Sequence, residues 1–123
     1  MHKLIVFAAS FAFLAALPVS AATTAAQKAA IAGLIAGERA QGNTDVEQPA
    51  CFVVQTYAQC SFGSGGGNAE VNAWLHLKNG KWTWLGHDGG VTYASMMEKR
   101  YGIPASIAKQ FQAKLCPAPC PGS

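Results

Sequence analysis

Residues 73–90 read AWLHLKNGKWTWLGHDGG, and this stretch decides how the chain folds. Two alternating segments, 70–78 and 81–86, flank Asn79-Gly80. Asn-Gly is the strongest short hairpin signal, because both residues tolerate the positive φ of a type I′ turn. The turn sets a register in which Lys78 faces Lys81, Leu77 faces Trp82, His76 faces Thr83, Leu75 faces Trp84 and Trp74 faces Leu85. Alternation then sorts the side chains. One face carries Val71, Ala73, Leu75, Leu77, Trp82 and Trp84 and is the core face. The other carries Asn72, Trp74, His76, Lys78, Lys81, Thr83 and Leu85, a mixture of aromatic and polar groups.

Upstream of this hairpin, CFVVQTY at residues 51–57 is β-branched and aromatic and reads as a strand. Residues 63–68, GSGGGN, form a loop tip and lack the lysine-serine pair of a phosphate-binding loop. Residues 23–43 are Ala-rich and helical, with Thr24 and Gln27 spaced as a capping box and Gly42-Asn43 as the stop. Ile31, Leu34 and Ile35 form an apolar stripe, while Gly33 and Gly37 weaken the helix or let it approach a sheet closely. Downstream, YASMMEKRYG is a short helix ended by Gly102, and IPASIAKQFQAKL is a second, with Ile107, Phe111 and Leu115 recurring every four residues. Val91, Thr92 and Tyr93 favour a further strand over residues 90–97 as the competing assignment.

At the start of the chain, Lys3 precedes an apolar run over residues 4–17, then Pro18 and the small-residue ending Val19-Ser20-Ala21. This is the pattern of a secretory signal peptide with cleavage after Ala21 or Ala22. A membrane span needs about 20 apolar residues, more than this run supplies. Residues 22–123 then form one small domain, with no membrane insertion after cleavage. With residues 1–21 removed, eight Lys+Arg stand against six Asp+Glu, too weak and scattered a charge for nucleic acid.

All four cysteines, Cys51, Cys60, Cys116 and Cys120, lie after this segment. An even count in a small exported domain reads as two disulfides, in any of three connectivities. The spacings C-x8-C and C-x3-C fit zinc sites poorly. The expected fold is α+β: an N-terminal helix, a three- to four-stranded antiparallel sheet containing the Asn79-Gly80 hairpin, and two short C-terminal helices. The helices are expected to pack on one face of the sheet.

The runs LKNGKWTWLGHDGG and YGIPASIAKQF, followed by a cysteine, resemble the tails of uncharacterised small exported bacterial proteins of cystatin-like or nuclear-transport-factor-like shape. The resemblance covers about residues 51–116. It implies a curled antiparallel sheet with a helix leading into it, and it transfers no catalytic residue.

The chemical inventory is thin. No serine sits in a nucleophile elbow, and no catalytic residue or cofactor is assigned. Glu70 and Asp88 have no reason to approach each other as a carboxylate pair. His76, His87 and Asp88 are weak metal-ligand candidates, since His87 and Asp88 are adjacent and point to opposite faces of a strand. Trp74 with His76, Lys78, Lys81 and Thr83 offers a basic-aromatic contact surface, unless a terminal helix covers that face and makes Trp74 a core residue. The leading expectation is an exported non-enzymatic binding protein, an inhibitor or immunity-type partner of another exported protein. The alternative is a small-ligand module with an apolar pocket lined by Trp82, Trp84, Met96 and Met97. A small metal-dependent hydrolase ranks third, and the sequence does not decide the oligomeric state.

Overall fold

A computed structural model describes residues 23–65, 70–90 and 92–120. The expected signal peptide, residues 1–21, lies outside the described residues, as does Ala22. The elements are α1 (Ala25–Ala40), β1 (Glu47–Val54), β2 (Tyr57–Gly63), β3 (Glu70–Lys78), β4 (Lys81–Gly89), α2 (Ala94–Tyr101) and α3 (Ala105–Leu115). The strands form one antiparallel sheet in the order β1-β2-β3-β4. The domain is α+β, with disulfides Cys51–Cys60 and Cys116–Cys120, so the pairing is the local one.

The run expected as one strand over residues 51–57 is instead the end of β1, a tight turn at Gln55-Thr56 and the start of β2. Gln55 takes a φ of 54°, which glycine or asparagine usually supplies, so the turn carries no sequence signal. Cys51 and Cys60 are direct cross-strand partners, and their disulfide clips this hairpin.

Helices cover both faces of the sheet, not one. Beneath α1, Ala30 and Leu34 meet Cys51, Ala58, Cys60, Phe62, Ala73 and Leu75, with Trp82 and Trp84 half-buried at the margin. On the opposite face, Trp74, Val54, Met97, Ile103, Ile107, Ala108 and Phe111 form a second core beneath α2 and α3. Strands with apolar residues on both faces, such as Leu75 beside Trp74, require two covers.

The seating of α1 follows from its glycines. A Cβ on Gly33 would lie 2.7 Å from Trp82 Cβ, and one on Gly37 would clash with the Trp84 ring. Four helical residues rise about 6 Å and two strand residues about 6.8 Å. Gly33 and Gly37 therefore match the Trp82–Trp84 spacing and seat one tryptophan each. The capping box at Thr24 forms as expected, with Gln27 N donating to Thr24 Oγ1 and Thr24 N donating to Gln27 Oε1.

The β3–β4 register holds from Lys78↔Lys81 to Leu75↔Trp84, then shifts. Trp74 pairs with Gly86, not with Leu85, so Leu85 is the extra residue of a β-bulge. Gly86 is required there. A Cβ at this position would lie 2.6 Å from Tyr101, whose ring stacks on Trp74 at a centroid distance of 4.9 Å. The segment after Gly90 ends in helix α2 at Ala94, not in a strand. Gly102 caps α2 with φ 69°, and Gln112 Oε1 accepts the Ala94 N–H at 2.7 Å, tying α3 to the start of α2.

Candidate functional site

On the sheet face covered by α2 and α3, the helices leave one end of the strands open. A cleft of about 480 Å³ lies there, lined by residues of β1, β2 and β3 and by Lys114 and Leu115 at the end of α3. Cross-strand register builds its floor. Phe52 pairs with Gln59, Ala50 with Ser61, and Ser61 with Asn72, so these side chains form adjacent rows.

Three neutral polar groups hold one another in place. Gln59 Nε2 donates to Ser61 Oγ at 3.0 Å and to Asn72 Oδ1 at 3.2 Å, and the Ser61 hydroxyl donates to Asn72 Oδ1 at 2.8 Å. Asn72 Nδ2 donates to the Gly90 carbonyl at 2.7 Å. Gln59 and Asn72 are only 3% and 4% exposed, so the network is a rigid part of the sheet. Each group still has unused capacity. Both Gln59 Nε2 hydrogens are engaged, but among the described residues none donates to Gln59 Oε1, and one Asn72 Nδ2 hydrogen has no acceptor. A floor of this kind can both accept and donate without rearranging.

The wall comes from α3. Phe111 is buried and meets Phe52 edge-on at 6.0 Å. Lys114, three residues later on the same side of the helix, places its Nζ 5.1 Å from the Phe52 ring centroid. Gln27 of α1 reaches the rim and donates to the Cys51 carbonyl at 3.1 Å, and Glu70 stands at the start of β3.

The residues singled out from sequence are placed differently. Trp74 is fully buried in the second core, with its Nε1 unpartnered among the described residues, and is not a surface anchor. A helix pair covers it, which is the core alternative weighed above. His76 stacks flat on Tyr57 at 4.1 Å, while Lys78, Lys81 and Thr83 are exposed beside it. The pocket of Trp82, Trp84, Met96 and Met97 does not form. Trp82 and Trp84 lie against α1, and Met97 is buried on the other side of the sheet. Nor do His76, His87 and Asp88 converge. His87 Nδ1 lies 2.6 Å from Glu38 on the α1 face, whereas Asp88 accepts from Arg100 Nη1 at 2.5 Å and from the Tyr101 hydroxyl at 2.6 Å on the other. Among the described residues no three His, Cys, Asp or Glu side chains group to hold a metal.

Burial, with the Asp88 hydrogen bond and charge next, pushes the Tyr101 phenol up to about 12. The same Asp88 carboxylate, first by its hydrogen bond and then by its charge, raises the Arg100 guanidinium further above its usual range.

Two features escaped the sequence reading. Glu38 is fully buried and receives Asn43 Nδ2 at 2.9 Å, Trp84 Nε1 at 3.0 Å and the His87 contact. Its signal is its place four residues after Leu34 on the buried stripe Ala30–Leu34–Glu38. The Gln59–Ser61–Asn72 floor had a fainter one. Gln59 and Ser61 alternate with the apolar residues of β2, but the loop of residues 63–68 does not fix the register that brings Asn72 beside them.

Comparison with protein-family models, curated proteins and solved structures returns no match for this chain.

Proposed function

We propose that this is an exported, non-enzymatic protein that binds a small polar ligand in the cleft between the sheet and the end of α3. The observation that carries the reading is the Gln59–Ser61–Asn72 network, a pre-organised polar floor in a cleft of about 480 Å³. Ligand sites are concave and place a few polar groups among apolar walls, here Phe52 and Leu115. Export is supported by the signal-like residues 1–21 and by the two disulfides, which persist in oxidising compartments. Among the described residues no helix is long and apolar enough to cross a membrane.

The test is to express the full-length chain with export, purify the protein and examine it by native mass spectrometry for co-purified small molecules. Side-chain amide NMR of Gln59 and Asn72 is then followed during titration with metabolite mixtures. Ligand-dependent shifts of both amides are expected. Shifts confined to residues outside the cleft would refute the assignment.

Contact with another exported protein is the second reading, and the Tyr57–His76 stack favours it. That stacked pair lies beside the exposed Lys78, Lys81 and Thr83. Capture that fails with Lys78→Glu and Lys81→Glu but survives Gln59→Glu would favour this reading over the cleft.

A further inference from the structure

The cleft carries opposite charges on its lining. Lys114 stands over Phe52 of β1, in the row where Phe52 pairs with Gln59. Glu70 pairs with Gly63 of β2, two rows further along the sheet. Two strand spacings and four residues of strand separate Phe52 from Glu70, on the order of 17 Å between backbone positions. An extended peptide advances about 3.3–3.6 Å per residue, so about two to four residues, with the reach of the two charged side chains, bridge this span.

Between the charges lies a floor with complementary unused valences: Gln59 Oε1 as acceptor and one Asn72 N–H as donor. A peptide group presents one donor and one acceptor, which matches this pair. A neutral sugar fits less well. It makes no use of the two charges, and the Lys114 ammonium already occupies the Phe52 ring face on which a sugar ring would stack. A simple anion would gain from Lys114 but would reach neither Glu70 nor the complementary donor and acceptor of the floor.

We infer that the cleft takes a short peptide with free ends, its carboxylate at Lys114, its ammonium at Glu70, and a peptide group between Gln59 and Asn72. This rests on the cleft being the ligand site, as proposed above. Peptide side chains would point away from the floor or along its apolar walls, so recognition is of the backbone and its termini.

Calorimetry and amide NMR on the protein purified from the full-length chain test this, with trialanine, N-acetyl-trialanine, trialanine amide, acetate and a neutral disaccharide as probes. Trialanine is expected to bind and to shift the Gln59 and Asn72 side-chain amides. Blocking either end is expected to weaken binding about tenfold, the loss of one charge-assisted hydrogen bond. Lys114→Gln is expected to weaken trialanine about tenfold and to leave trialanine amide unchanged. Glu70→Gln is expected to weaken trialanine about tenfold and to leave N-acetyl-trialanine unchanged. Both residues are exposed, so the variants keep the fold. Equal affinity for free and blocked peptides would overturn the inference. So would acetate or the disaccharide shifting both amides where trialanine does not, and the cleft reading would then stand. If no probe and no metabolite mixture shifts either amide, the inference and the cleft reading fall together.

Discussion

Glu38 Oε2 and His87 Nδ1 stand 2.6 Å apart across the seam between α1 and β4, the carboxylate side chain fully buried and the imidazole 41% exposed. The bulge at Leu85 makes this contact. Uninterrupted pairing would set His87 opposite Asn72, on the Trp74 face. The extra residue sets it opposite Ala73, on the α1 face, and turns Asp88 towards Arg100 and Tyr101. One inserted residue therefore joins β4 to a helix on each side of the sheet.

Glu38→Leu is expected to destabilise the fold by about 2–3 kcal/mol, because the Trp84 indole N–H and the Asn43 amide lose their acceptor. Glu38→Gln retains part of the acceptor set and should cost about half as much. Urea denaturation measures both. Equal stability of Glu38→Leu and the unmodified protein would mean that the carboxylate does not hold α1 to β4.

Gly37→Ala raises helix propensity by about 1 kcal/mol and, at an exposed site, would stabilise. Here the added Cβ enters the space of the Trp84 ring. A net loss of about 1–3 kcal/mol is expected from overpacking, with a smaller loss for Gly33→Ala. A raised melting temperature for Gly37→Ala would show that α1 does not seat on Trp84.

Tyr101 sets an alkaline limit. Its phenol titrates near 12 in the folded state against an ordinary value of 10.0, chiefly because of burial and the Asp88 hydrogen bond. The folded state thus holds this proton more tightly than the unfolded chain does. The resulting stabilisation is fully present below pH 10 and is lost as pH rises towards about 12. Ultraviolet titration should find a late phenol that is absent in Tyr101→Phe. The unmodified protein should lose stability more steeply than Tyr101→Phe over that window, and parallel profiles would contradict the assignment.

Trp74 is a core residue, so Trp74→Ala is expected to cost about 3–5 kcal/mol. Trp74→Phe keeps most of the packing and removes an indole N–H that has no partner among the described residues, and should cost less. Chemical denaturation separates the two. A Trp74→Ala variant of unchanged stability would return this residue to the surface.

Local chemistry determined much of the architecture. The Asn79-Gly80 turn, the Thr24–Gln27 capping box, the Gly102 stop and the four-residue recurrence of Ile107 and Phe111 each act within a few residues, and each is visible in the chain. The turn also assigned Trp82 and Trp84 to the same face as Leu75, where α1 covers them. The Gln55-Thr56 turn stayed hidden because a glutamine does not advertise the positive φ that Gln55 adopts.

Tertiary structure decided the rest. The sequence presents Trp74 as an aromatic among polar neighbours, and only the packing of α2 and α3 makes it interior. The bulge at Leu85 answers to the Tyr101–Trp74 stack, a contact between residues far apart in the chain, and it alone assigns His87 and Asp88 to their faces. The cleft has the same origin. Gln59, Ser61, Asn72 and Lys114 are unremarkable one by one, and they become a site because β-sheet register and the end of α3 bring them together. A turn is a local minimum that a few side chains specify, whereas a floor built across three strands exists only when every register between them is set.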